Sequence, residues 1–227
     1  RKSVEGSLRR LGTDHIDLYY QHRIDPKVAP EEVAQVMSEL MREGKITHWG
    51  ISEADEEYLR RANDVCPVTA VQNRYSMMAR QHEKLFPVLE ELGIGFVAFS
   101  PMANGFLTGR YAKGEPFDRK YDYRASMPQF ADEAIDENRE LLGLLSGMAE
   151  EKDATPAQIS MAWMLCKKPW IVPIPGTRKP DRMKENAGAA DIMLTADEVA
   201  RLDEALENMS MSDVFGGTGT VKKQEAK

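Results

Sequence analysis

The chain has 227 residues, 42% of them hydrophobic, and carries 37 acidic against 30 basic side chains for a formal net charge of -7. That length suits one large α/β domain or two small ones. The acidic balance, with no basic stripe interleaved with aromatics, argues against nucleic acid or an anionic membrane surface as partner. Cys66 and Cys166 offer neither a disulfide framework nor metal-ligand spacing, and no apolar run reaches the ~20 residues of a membrane span. A reducing, cytoplasmic setting and a chain without a metal site are expected.

The first residues already read as an amphipathic helix, with Val4, Leu8 and Leu11 on one face. "HIDLYYQHRID" follows, and its run from Ile16 to Tyr20 reads as a short buried strand whose exit carries Gln21 and His22 in place of turn residues. A helix over 30–43 leads to the strand "KITHWGIS", which ends near Ser52. The step recurs: helix 55–63 before "VTAVQNRYS", helix 83–92 before "IGFVAFS", and helices 135–151 and 155–167 before "WIVPIPGT". Met37, Met41, Met161 and Met164, at helical spacing, are expected to pack in the core. Between Gly109 and Glu137 runs a long connection rich in charge and aromatics, either a cover over a site or a surface excursion.

Apolar strands separated by helical crossovers call for a parallel sheet with helices on its faces. A doubly wound dinucleotide fold would carry GxGxxG at a strand-to-helix turn; none occurs, so a barrel is favoured. A complete eightfold barrel takes about 250 residues. Only five strands are found, and the chain opens inside a helix on Arg1, so three N-terminal units are expected to be missing. Residues 1–208 are then one incomplete barrel of units four to eight, with no dividing linker, followed by a polar tail over 209–227. The two bare edges, at 16–20 and 170–174, predict self-association.

The active site of a parallel α/β barrel lies at the C-terminal strand ends. Here those ends carry Gln21 and His22, then Gly50 and Ser52, then Gln72 and Asn73, then Phe99 and Ser100, and last Pro175, Gly176 and Thr177. Polar groups suited to a carboxamide, a ring suited to stacking and a glycine-bearing turn suited to phosphate converge on one rim.

Five motifs, "LGTDHIDLYYQHRID", "GKITHWGIS", "VQNRYS", "FSPMANGFLTG" and "IPGTRKPDRMKENAGA", occur in an order that resembles the NADPH-dependent aldo-keto reductases of the bacterial type. The resemblance covers the chain up to about residue 208 and implies a (β/α)8 TIM barrel, NADP(H) as cofactor and a small carbonyl substrate; uncharged, electron-poor carbonyls are the expected class. It makes His22 the catalytic histidine, hydrogen-bonding the substrate carbonyl oxygen as hydride arrives. It also implies an aspartate, a proton-donating tyrosine and a lysine on the first three units, which this sequence does not contain; Tyr19, Tyr20 and Tyr75 match no such motif.

The cofactor half is fuller. Ser52 and Gln72 match the positions that hold the nicotinamide carboxamide, with Glu53 where the family usually has asparagine. Phe99 replaces the tyrosine stacked under nicotinamide and keeps its π-face. Ser100, Met102, Gly105 and Leu107 lie in the pyrophosphate loop. Gly176, Thr177 and Arg178 form the turn before a helix on which Arg182, Glu185 and Asn186 share one face. The resemblance pairs Arg182 with the adenosine 2′-phosphate and places Glu185 and Asn186 against adenine. Gly176 stands where many relatives have lysine.

Overall fold

The computed structural model describes residues 1–114, 117, 118 and 120–214. The expected alternation is present: α1 (Lys2–Leu11), β1 (Ile16–Gln21), α2 (Pro30–Arg42), β2 (Ile46–Ser52), α3 (Glu56–Val65), β3 (Ala70–Arg74), α4 (Phe86–Leu92), β4 (Gly95–Phe99), α5 (Asp132–Glu137), α6 (Arg139–Glu151), α7 (Pro156–Lys167), β5 (Ile171–Pro173), α8 (Pro180–Ala187) and α9 (Ala196–Asn208). The five strands form one sheet in chain order. β1 pairs with β2 and β2 with β3 in parallel, and this register sets Tyr20 opposite Gly50 and Ser52 opposite Gln72.

Contacts gather the described residues into two compact units: Arg1–Asn73 with Glu83–Val97, and Arg74–His82 with the described residues from Ala98 on. Of the three divisions, those after Asn73 and Val97 fall inside strands β3 and β4, so no linker composition marks them in the sequence.

In the first unit, β2 and β3 mix buried apolar positions with polar ones: Thr47 and His48 are exposed on β2, and β3 carries Gln72 and a buried Asn73. Ile46, Trp49, Ile51 and Val71 are buried, covered by Ala34, Met37 and Leu40 of α2 and by Leu59 and Ala62 of α3. Turns follow local chemistry. Gly12 and Gly93 close α1 and α4 in the left-handed conformation that glycine adopts without Cβ strain, and the Asp55 side chain caps α3 by accepting from the Tyr58 N–H.

In the second unit, α7 buries its middle, Ala157 and Ile159 to Met164, while its ends are half-buried. Ile159, Met161, Trp163 and Met164 are buried, and Trp163 stacks on Tyr75 with ring centroids 5.3 Å apart. Its indole N–H donates to Asp203 Oδ1 at 2.8 Å, tying α7 to α9. Reciprocal capping boxes, Thr155 with Gln158 and Thr195 with Glu198, start α7 and α9.

Three elements differ from the sequence reading for identifiable reasons. The helix expected over 83–92 begins as a 3-10 turn, Glu83–Leu85, before Pro87 sets the first turn of α4. The helix expected over 135–151 breaks at Asn138, whose buried side chain donates to the Ala134 carbonyl and to Ser212 Oγ, both at 2.7 Å. Ser212 and Val214 are themselves buried, so the stretch assigned to a polar tail is packed up to Val214; residues 215–227 lie outside the described ones. The long connection is docked rather than loose. Tyr111, Phe117 and Phe130 pack with centroids 5.1–5.5 Å apart, and Phe130 meets Phe106 edge-on at 5.7 Å.

The two terminal strands of the sheet are not equally open. Ile174 N–H donates to the Ala98 carbonyl, so by strand alternation the groups of Ile171, Pro173 and Pro175 face the other way. Ile171 N–H is bound to the Lys168 carbonyl, and the prolines have no N–H. The outer edge of β5 therefore has acceptors without a free donor, a blunted edge.

Candidate functional site

At the strand ends of the first unit a small polar network replaces turn residues. Ser52, buried at the end of β2, donates through its hydroxyl to the Gln72 carbonyl at 3.0 Å and accepts from Arg23 Nη1 at 3.1 Å. The hydroxyl hydrogen is thus committed; a carboxamide reaching Ser52 meets its remaining lone pair and is held through the amide N–H. Gln21 bonds the Tyr58 hydroxyl at 3.0 Å, fixing the end of β1 against α3. His22 follows directly and is exposed, as its proposed contact with a substrate requires.

Asn73 is fully buried and acts as a clasp. Its Oδ1 accepts from Glu53 N–H at 2.9 Å and its Nδ2 donates to the Ala54 carbonyl at 3.2 Å. The clasp holds Glu53 at φ 62, the left-handed region, which costs a residue with a Cβ roughly 1–2 kcal/mol and which asparagine tolerates better. Glu53→Asn is accordingly expected to raise stability by about 1 kcal/mol. An unchanged urea midpoint would show that this backbone carries no strain.

Tyr20 lies across Gly50. Its hydroxyl is buried without a hydrogen-bond partner, and burial pushes the phenol pKa up, so it stays protonated in the core. Gly50 has no alternative: a Cβ there would come within 2.5 Å of the Tyr20 ring and 2.7 Å of the Ala70 carbonyl oxygen.

The second unit holds a cavity of about 330 Å³, within the usual range for small-molecule sites. Ala157 of α7 and the long connection after Gly109 line part of it, and three elements supply the rest. The loop after β4 contributes Ser100, Met102, Asn104, Gly105 and Thr108. The turn after β5 contributes Gly176 and Thr177. Helix α8 contributes Arg182, Glu185 and Asn186. The loop carries left-handed backbone at Ser100, Ala103, Asn104 and Gly105, with φ of 53, 46, 60 and 98, and it is braced from within: the N–H groups of Ala103, Gly105 and Leu107 donate to the carbonyls of Ser100 and Met102. At Gly105 the angle lies beyond what a side chain adopts readily, which explains glycine there.

Eight of the thirteen residues that the sequence assigned to a cofactor meet at this cavity; the others lie elsewhere. Ser52 and Gln72 belong to the strand ends of the first unit. Phe99 is half-buried beneath the Arg74 guanidinium, 5.1 Å from its centroid. Leu107 points into the core, leaving only its backbone for a ligand, and Arg178 is exposed on the turn away from the lining.

Sequence reasoning missed Tyr111, Tyr123 and Arg124, which the long connection brings to the same cavity. The aromatic and charged bias of that connection was the available signal. Its Arg124 is already engaged: Asp122 pairs with the guanidinium, whose hydrogen bonds hold the Asp122 carboxyl below the usual carboxylate range, and Tyr111 accepts from Nη1. Arg182, half-buried, has no carboxylate within ion-pair distance among the described residues. Glu185 is oriented by Arg110 at 3.9 Å, and Gln158 steadies α8 by donating to the Glu185 carbonyl at 2.9 Å. A guanidinium without an ion-pair partner in the same lining as the Ser100 and Thr177 side chains is a donor set suited to phosphate. Among the described residues no cluster of His, Cys, Asp or Glu could hold a metal ion, and no helix is long and apolar enough to cross a membrane.

Residues 1–207 match the family described as "Aldo/keto reductase family". Aldo-keto reductase str7 of Strobilurus tenacellus is 40% identical over 205 residues, which cover 88% of this chain and 61% of that protein. Probable aldo-keto reductase 1 of Glycine max is 37% identical over 219 residues, 96% of this chain and 62% of the relative. Among solved structures, the glycerol dehydrogenase AKR11B4 from Gluconobacter oxydans aligns with a TM-score of 0.85 at 27% identity, covering 92% of this chain and 64% of that one. The thermostable aldo-keto reductase Tm1743 in complex with the inhibitor epalrestat aligns with a TM-score of 0.70 at 28% identity, covering 89% and 64%. The chain spans less than two thirds of each of these proteins.

Proposed function

The chain belongs to the aldo-keto reductase family, and from that premise we propose that it carries barrel units four to eight of an NADPH-dependent oxidoreductase that reduces aldehydes or ketones to alcohols. The observation that carries the reading is the cavity in which an unpaired Arg182 faces the loop from Ser100 to Thr108. Arg182 would hold the adenosine 2′-phosphate, Glu185 and Asn186 the adenine, and Ser100 with its loop the pyrophosphate. Ser52 and Gln72 would orient the nicotinamide carboxamide and Phe99 would offer its ring face. NADPH, when bound, supplies the hydride. His22 would hydrogen-bond the carbonyl oxygen as negative charge develops there.

A second reading is an NADPH-binding half-barrel without turnover that associates with a partner chain. Loss of general-acid assistance alone typically costs ~10²–10⁴-fold in rate. A fluorescence titration with NADPH tests the shared premise; saturable binding is expected, and a flat response sinks both readings. NADPH oxidation with small aldehydes then separates them. Turnover abolished by His22→Ala excludes the non-catalytic reading, whereas equal background in both proteins excludes the enzyme.

A sheet that ends in open strands invites pairing with a second copy, and we assign that role to β1, because the outer edge of β5 has no donor to offer. The scattering mass of the chain is expected to rise with concentration. A constant monomer mass across the range would overturn the assignment.

A further inference from the structure

We propose that Arg23 is a substrate-anchoring residue that selects carbonyl compounds bearing an adjacent carboxylate, the 2-oxo acids; this rests on the reductase reading and names its substrate class. The side chain follows His22 immediately and folds back over the strand ends. Its Nη1 donates to the His22 carbonyl at 2.6 Å and to Ser52 Oγ at 3.1 Å, and Ser52 in turn is fixed on the Gln72 carbonyl. The guanidinium is thereby held across the exits of β1, β2 and β3, where a carbonyl substrate must sit to meet His22.

Two bonds to one terminal nitrogen leave the Nη2 and Nε donors unused, and among the described residues none of the carboxylates is within ion-pair distance of them. The nearest candidate in sequence, Asp25, is turned into its own loop, where Oδ1 accepts from Lys27 N–H at 2.9 Å. The residue is exposed, so a small anion reaches it directly. Arginine presents paired donors in a plane that matches a carboxylate, and a 2-oxo acid carries its carboxylate one bond from the carbonyl that His22 would receive. Uncharged carbonyls were the expectation set beside the family resemblance; the fixed and unpaired cation beside His22 points the other way.

The test compares pyruvate with pyruvamide, its neutral isostere, on the whole chain, following the His22 imidazole by NMR and assigning it with His22→Gln. Pyruvate is expected to bind about tenfold more tightly. Arg23→Gln should erase the difference and Arg23→Lys should keep part of it, which a merely structural role in bracing Ser52 would not produce. Equal binding of the two ligands, no response of His22 to either, or a preference that survives in Arg23→Gln overturns the proposal. NADPH binding is measured separately on the same samples. A pyruvate preference without NADPH binding leaves the Arg23 anchor standing and removes the reductase reading; NADPH binding without the preference does the reverse.

Discussion

Gly50→Ala is expected to cost the first unit about 3 kcal/mol, at the upper end of overpacking penalties. The added Cβ would collide at 2.5 Å with the Tyr20 ring and at 2.7 Å with the carbonyl oxygen of Ala70. The ring can swing aside, but the carbonyl belongs to β3, the strand paired with β2, and moves only if the sheet does. Tyr20→Ala in the same chain should therefore restore only part of the loss. A urea midpoint for Gly50→Ala within experimental error of the parent, or full rescue by Tyr20→Ala, would show that the carbonyl contact does not decide the matter. The displacement has a functional consequence too. Ser52 and Gln72 are paired two residues further along the same strands, so whatever parts Gly50 from Ala70 also parts the two groups assigned to the carboxamide.

Order and type of the elements were legible because the strands carry short apolar runs and the helices before β2 and β3 are amphipathic, while α7 is marked by its apolar content. Ile16–Gln21 and Pro30–Arg42 lie within a residue of the reading from sequence. What failed was whatever depended on a single distant partner. No local pattern announces that Asn138 breaks a helix to reach Ser212, or that Asn73 is a clasp for the backbone of Glu53 rather than a rim group awaiting ligand. Of the candidate site, the residues on α8 and the loop after β4 were legible because helical spacing and small-residue content are local signals. Tyr111, Tyr123 and Arg124 were not, since they arrive through an irregular connection whose path is set by the packing of Phe117 and Phe130. Arg23 escaped for another reason: its side-chain direction is chosen by the Ser52 hydroxyl on a neighbouring strand.

Two arginines line the cavity of the second unit, and their surroundings decide which reads a phosphate. Arg124 is neutralised by Asp122 and further held by Tyr111, so recruiting it to a ligand would strand a carboxylate. Arg182 has no such tie. Arg182→Ala is therefore expected to weaken NADPH about 10- to 100-fold, the worth of losing a charge-assisted hydrogen-bond pair, while leaving NADH unchanged. Arg182→Lys should retain part of the affinity as a point charge without the planar fork. Because the removed cation leaves no orphaned carboxylate behind, the urea midpoint of Arg182→Ala should stay within about 0.5 kcal/mol of the parent, so that a loss of binding is not a loss of fold. Equal weakening of NADPH and NADH would mean that Arg182 shapes the cavity without reading the 2′-phosphate. The discriminating group would then be sought in Arg124, whose release from Asp122 would have to accompany binding.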